Sequence, residues 1–215
     1  MAACPAWART LLQRHFGAIE ARVGQLRRNS KNQVILIGVG TFGAVFALQD
    51  LSRVFKITRD NSEGVLGNYV KDLQDARTRF GRTSIIDGTA RMYDVFRFPG
   101  STEHFGMVRE RVDCNLGPFG LLAPLADQYA EAWNGACLGR TKAIRAEQEQ
   151  EARKLLQIMG RMPQGAVLCR VLEGVWDLGV PLMDAHRGNL CVRTQPTDLG
   201  GRPGQLVLMD YGASL

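Results

Sequence analysis

Near the C-terminal end of the chain stand Met183-Asp184-Ala185-His186-Arg187-Gly188-Asn189 and, after two short runs of β-forming residues, Met209-Asp210-Tyr211-Gly212. A phosphoryl transfer asks a protein for a carboxylate to accept the proton of an attacking hydroxyl, and for two oxygen ligands that hold magnesium against the β- and γ-phosphates. Asp184, Asn189 and Asp210 have those side-chain types in that order. Taken singly, each is also an ordinary turn residue: Asp184 after a strand, Asn189 after Gly188, Asp210 before Gly212. Their joint meaning depends on what lies upstream.

Upstream is Gly38-Val39-Gly40-Thr41-Phe42-Gly43-Ala44-Val45, a GxGxxG segment that suits two nucleotide-binding designs. In a dinucleotide-binding fold, a strand over Val34 to Ile37 would run into the glycines, a helix would begin near Thr41, and Asp60, twenty places after Gly40, would take the ribose. That design needs a helix of about three turns directly after the loop. Only Ala44 to Gln49 is free before Asp50 and a second β-type run. The other design is a hairpin whose Gly-rich turn folds over the phosphates, with a lysine on the following strand. Arg53-Val54-Phe55-Lys56-Ile57 supplies Lys56 between apolar neighbours. A strand lysine is otherwise a solvated edge residue, so the case rests on glycine loop, lysine and carboxylates occurring together and in order.

These groups must be carried by elements that the hydrophobic pattern outlines. Residues 5 to 28 read as a basic amphipathic helix, with Leu12, Phe16, Ile19, Val23 and Leu26 on one stripe, and with Arg9, Arg14, Arg22, Arg27 and Arg28 available to water or to an anionic partner. Gln33 to Val39, Ala44 to Leu48 and Arg53 to Thr58 predict strands, the last two separated by a Gln49-Asp50 turn. A helix is expected from Ser62 to Arg79 with Leu66, Tyr69, Val70 and Leu73 on its packed face, weakened by Gly64 and Gly67. Met92 to Phe98 and Phe105 to Val112 predict two more strands joined at Pro99-Gly100. Helices are expected over Leu125 to Leu138, Thr141 to Met162 and Gln164 to Leu178, and strands over Pro181 to Met183, Leu190 to Arg193 and Gln205 to Met209. The texture changes near residues 112 to 117, the natural hinge between a mostly β lobe and a mostly helical one. The expected organisation is an N-terminal basic helix (1–33), a β lobe (34–114) and a helical lobe carrying the C-terminal motifs (115–215).

Composition narrows the class. A chain of 215 residues, 45% hydrophobic and 22% charged, can bury a real core, and its 24 Gly and 8 Pro are unrepeated. Val34 to Leu48, the least polar stretch, is 15 residues long and is interrupted by three Gly and a Thr, short of the roughly 20 apolar residues that cross a bilayer. The first 14 residues lack the basic head and apolar run of a secretory signal, so a cytoplasmic protein without a membrane partner is expected. Five scattered cysteines, never spaced CxxC, are expected to be reduced thiols. With three isolated His, a structural zinc site is not expected, and any metal would be held by oxygen. The net charge of +6 favours anionic partners such as nucleotide phosphates, nucleic acid or acidic protein surfaces without choosing among them.

In these motifs the chain resembles the protein-kinase-like superfamily. GVGTFGAV resembles its Gly-rich loop, Lys56 its strand lysine, DAHRGN its catalytic loop and DYG its DFG motif. The DxHxxN loop is closer to aminoglycoside-type phosphotransferases and to the early serine/threonine kinases of podoviruses than to eukaryotic protein kinases. The resemblance implies an α+β, two-lobed kinase-like fold, with an antiparallel N-lobe sheet plus a helix and a reduced helical C-lobe ending after DYG. It implies ATP and Mg2+ as cofactors, with Gly38, Gly40, Thr41, Phe42, Gly43 and Val45 around the nucleotide and Lys56 on the α/β-phosphates. Asp184 would be the base, His186 would stand beside the γ-phosphate, and Asn189 and Asp210 would bind magnesium. Backbone of Glu110 to Val112 would meet adenine. The carboxylate that pairs with Lys56 is either Glu63 or Asp72, with Asp72, nearer mid-helix, preferred.

The departures shape the expected function. Leu182-Met183 replaces the usual His-Arg before the catalytic Asp, and three residues follow Gly212, so control through an activation loop is not expected and an acceptor would dock elsewhere, on residues 116 to 162. The leading expectation is a small atypical serine/threonine protein kinase acting on host proteins in a host cytoplasm if phage-encoded. The alternatives are a catalytically silent kinase fold that inhibits a partner such as a polymerase, and a small-molecule kinase with an acceptor pocket near Glu131, Glu147, Glu149 and Glu151.

Overall fold

Short β-branched and aromatic runs separated by tight turns favour an antiparallel sheet, and long 3.6-periodic segments favour a helical hairpin. The computed structural model, which describes residues 3–23, 34–48, 52–80, 88–115, 120, 122–163, 165–177 and 187–209, is accordingly α+β. The chain divides into two compact units, Met1–Ala76 with Arg91–Arg111, and Arg77–Ala90 with Val112–Leu215.

The first unit contains helix α1 (Ala6–Val23), strands β1 (Val34–Val39), β2 (Gly43–Leu48) and β3 (Arg53–Thr58), helix α2 (Asn61–Phe80) except its last turn, and strands β4 (Met92–Arg97) and β5 (Phe105–Glu110). All strand pairs are antiparallel, in the order β1-β2-β3-β5-β4. Directly paired residues share a face of the sheet. Phe46, Phe55, Ile57 and Val108 form a core with Ala8, Leu11, Ile19 and Val23 of α1, so the basic helix spends its apolar side on its own sheet. α1 is kinked at His15, with φ −114° and ψ 15°. The kink shifts the helical phase, which is why Ala8 and Leu11 are buried ahead of it while Leu12 and Phe16 of the expected stripe are only partly buried. Leu26, Arg27 and Arg28 lie outside the described residues.

α2 covers the other face. A Cβ on Gly64 would stand 2.5 Å from the Phe105 ring, so glycine there lets the helix backbone lie directly on the sheet rather than merely weakening the helix. Glu63, Gly64, Gly67, Val70 and Gln74 are buried, whereas Tyr69 is 45% exposed, one helical step away from the packed face on which it was expected. A polar network ties this helix to the start of β4. Arg91 donates to Gln74 Oε1 (3.2 Å) and to Asp75 Oδ1 (3.0 Å), and Met92 N donates to Gln74 Oε1 (2.8 Å). Burial pushes the Asp75 carboxyl up, but hydrogen bonds from Lys71 and Arg91 outweigh it and hold the group below its ordinary value.

The predicted strand from Phe105 to Val112 is two strands. β5 stops at Glu110, Arg111 N donates to Ser52 O (2.8 Å), and Val112–Asp113 form β6 of a different sheet. That second sheet, in the second unit, has the order β6-β7-β8, with β7 at Leu190–Arg193 and β8 at Leu206–Leu208. Beside it run α3 (Ala123–Leu138), α4 (Lys142–Gly160) and α5 (Gly165–Asp177). α3 packs on α4 and α4 on α5, burying Tyr129, Leu155, Met159, Leu168 and Leu172. Thr141 caps α4, its hydroxyl accepting from Ile144 N (3.2 Å). Arg193 is buried where β7 ends, donating to Gln205 Oε1 (2.6 Å) and Thr89 O (2.9 Å). The strand predicted over Pro181 to Met183 and the Gln49-Asp50 turn lie outside the described residues. Among the described residues no helix is long and apolar enough to cross a membrane.

The cysteines correct one expectation. Cys114 and Cys191 are joined by a disulfide, while Cys4, Cys137 and Cys169 are free. Val112 pairs with Arg193 and Asp113 with Val192, and continuing that register by one residue sets Cys114 opposite Cys191, Cα to Cα 4.0 Å. A separation of 77 residues shows nothing of this until the strand register is known.

Candidate functional site

The Gly-rich segment is a β-hairpin. β2 runs back antiparallel to β1, which leaves no helix after the glycines and excludes the dinucleotide-binding design. Asp60, the ribose ligand of that design, is instead the cap of α2: its Oδ1 accepts from Ser62 N (2.9 Å) and Ser62 Oγ (2.6 Å). The turn itself spans Gly40, Thr41 and Phe42, closed by Gly40 N donating to Gly43 O (2.9 Å). Arg59 N donates to Phe42 O (2.9 Å) and ties the turn to the end of β3, leaving the Phe42 ring 42% exposed at the tip. Gly43 is pressed on β3, where a Cβ would meet Ile57 O at 2.6 Å. Around Gly38 and Gly40, by contrast, a Cβ would have no neighbour nearer than 3.9 Å, so backbone there is open to an incoming group.

Lys56 pairs across the sheet with Val45 on one side and Met107 on the other, so these side chains share the face that α2 covers. Its ammonium forms an ion pair with Glu63, in the first turn of α2; the two side chains are 13% and 9% exposed. Asp72 is corrected as the partner: it is exposed and accepts from Asn68 Nδ2 (3.3 Å). The physical reason is local. Thr58 Oγ1 accepts from Asp60 N (3.1 Å) and Asp60 caps α2, so the chain turns at once and brings Glu63, seven places after Lys56, back over β3. A mid-helix carboxylate is carried past the lysine.

Sequence reasoning missed the apolar surroundings. Ile35, Ala47 and Val54 are in cross-strand register on the Lys56 face, and Ile35 is 44% exposed. The alternation back from Lys56 to Val54 was a usable signal, but Ile35 joins the patch only through the register of β1.

Glu110 is tied to the residue before β4. Its carboxylate Oε2 accepts from Arg91 N (2.9 Å), its own N donates to Arg91 O (2.8 Å), and it is 2% exposed. The amide donors of Glu110 and Arg111 are therefore both engaged. Val112 lies half-buried in β6 opposite Arg193.

In the second unit, Asn189 ends a single 3₁₀ turn (Arg187–Asn189) before β7 and is buried. Its carbonyl accepts from Met209 N (2.8 Å). Asp184, His186 and Asp210 lie outside the described residues. Among the described residues no three His, Cys, Asp or Glu side chains group to hold a metal ion, and the oxygen of Asn189 is a donor of the type magnesium takes. On α4, Glu149 pairs with Arg153 (2.8 Å) and Glu151 with Lys154 (3.3 Å), both ion pairs open to solvent. A cavity of about 480 Å³ between α4 and α5 is lined by Arg153, Gln157, Cys169 and Arg170 among others.

No protein-family model matches the chain, and a search of curated proteins gives no match.

Proposed function

We propose that the protein is a Mg-ATP-dependent phosphotransferase of the protein-kinase-like type, acting on serine or threonine hydroxyls of proteins in the cytoplasm. The observation that carries this reading is the Lys56–Glu63 ion pair, set on the same sheet face as Val45 in an antiparallel sheet whose Gly-rich hairpin leaves Gly38 and Gly40 uncovered. A lysine held by a carboxylate has a fixed direction, which is what pairing with α- and β-phosphates requires. Ile35 would offer apolar surface to the base, and the uncovered backbone around Gly38 and Gly40 room for the phosphates. Asn189 and Asp210 would hold magnesium, which supplies charge neutralisation on the phosphates when bound. Asp184 would take the acceptor proton, with His186 near the transferred group.

Transfer of labelled phosphate from Mg-ATP, to the protein itself and to a bacterial lysate, tests this. The unmodified chain is expected to transfer label, Asp184→Ala to lose roughly 10²–10⁴-fold in rate, and Asp210→Asn and Lys56→Met to lose transfer while remaining folded. No label from the folded wild-type chain with magnesium present would overturn the catalytic reading.

A further inference from the structure

Three sulfurs meet in the second unit. Cys114 and Cys191 are bonded, and the Met209 Sδ lies 3.9 Å from the Cys114 Sγ and 4.0 Å from the Cys191 Sγ. The two cysteines differ in access. Cys114 is exposed, whereas Cys191 is fully buried in a small apolar cluster with Ala90 and Val207. What the bond holds is slight by itself: β6 has two residues, and its only register pairs on β7 are Val112 with Arg193 and Asp113 with Val192. Two cross-strand pairs are a marginal contact in water, so the covalent link, and not the ladder, keeps this segment on the sheet.

We propose that Cys114–Cys191 is a reversible modification site, a thiol–disulfide clamp that exchanges with low-molecular-weight thiols of the glutathione type and, when opened, releases residues 112–115 from β7. A thiolate from solution attacks the Sγ of Cys114, the exposed residue of the pair, and forms a new S–S bond there. The Cys114–Cys191 bond breaks, and its electron pair leaves on the Cys191 Sγ, which takes up a proton. A second thiol displaces Cys114 from the mixed disulfide. The protein then carries two thiols and the reductant one disulfide, and the reverse sequence recloses the clamp. Release reaches further than β6, because Cys191 lies two residues after Asn189 and its sulfur touches Met209, whose N–H is bonded to the Asn189 carbonyl. The proposal stands apart from the phosphotransferase reading, since it concerns only the second unit and requires no nucleotide.

The test is amide hydrogen exchange on the full chain, equilibrated in oxidised and in reduced glutathione, with intact mass reporting the bond. The oxidised protein is expected to be lighter by two hydrogens. Amides of residues 112–115, 190–192 and 209 are expected to exchange roughly tenfold or more faster in the reduced protein, with the five-stranded sheet unchanged. Cys114→Ser, a change at an exposed position, is expected to show the reduced pattern in both buffers. Equal masses in the two buffers, equal exchange at these amides, or a Cys114→Ser protein that keeps the oxidised pattern would each overturn the clamp. ATP binding measured in the same buffers separates the two ideas: absence of binding in both counts against the phosphotransferase and leaves the exchange result as it stands.

Discussion

The two sheets of the molecule are held by different means. The five-stranded sheet of the first unit is sandwiched, with α1 on one face and α2 on the other, and its register rests on large apolar side chains such as Phe46 and Phe55, stacked with ring centroids 5.1 Å apart. The three-stranded sheet of the second unit has strands of two, four and three residues, with Leu190, Leu206 and Leu208 buried on one face and Cys191 and Val207 clustered with Ala90 on the other. Strands this short present few cross-strand pairs to fix a register. Specific ties add to the packing there: a disulfide between β6 and β7, and the buried Arg193 guanidinium bridging Gln205 and Thr89. The larger sheet is set by packing, and the smaller one by packing reinforced with directional and covalent bonds.

The comparison can be broken. Phe55→Ala should cost the first unit about 3–5 kcal/mol, seen as a lower denaturant midpoint, because the vacated volume is enclosed by sheet and helix. In the small sheet Arg193→Met should cost about 2–3 kcal/mol, since it strips a donor from the buried Thr89 carbonyl and another from the half-buried Gln205. Val207→Ala should cost less, about 1–2 kcal/mol. If exchange protection of β8 falls further in the valine variant than in the arginine variant, the division between packed and tied sheets is wrong. Asp60→Ala should remove about 1 kcal/mol by uncapping α2, and under the phosphotransferase reading it should also reduce transfer through a displaced Glu63.

The smallest effect concerns pH. Asp75 has a folded pKa below its ordinary 3.8, so its contribution is present above that value and is lost as the pH falls through the lower folded one. Asp75→Asn should therefore be less stable than wild type near neutrality, with the difference shrinking below about pH 4. A difference that persists undiminished in acid would show that the carboxylate charge is not what Lys71 and Arg91 hold.

Local pattern made much of the fold legible. β3 and β7 were readable to the residue, since both are short β-branched runs closed by turns. The hairpin reading of the glycines was legible too, because Ala44 to Gln49 leaves no room for a helix. What was illegible depended on register or on helical phase. Tyr69 and Val70 differ by one position and so by about 100° around α2, and hydrophobicity alone cannot say which of them packs. Glu63 against Asp72 turned on where the chain bends after Thr58, which the Asp60 cap decides. The split of Phe105 to Val112 into two strands and the pairing of Cys114 with Cys191 are both consequences of β6 joining a strand some eighty residues later.

The placement of α1 has a consequence for how the molecule is made. Its apolar side is complementary to Phe46, Phe55, Phe98 and Val108, which leave the ribosome after it, the last of them 85 residues beyond Val23. During synthesis the helix must therefore wait, amphipathic and basic, for a surface that does not yet exist. Contacts of such long sequence separation make for slow closure and a nascent chain with an exposed apolar stripe. A truncated message ending before β5 would release a product in which α1 has nothing complete to cover, and that product is expected to be caught by chaperones or degraded rather than to fold.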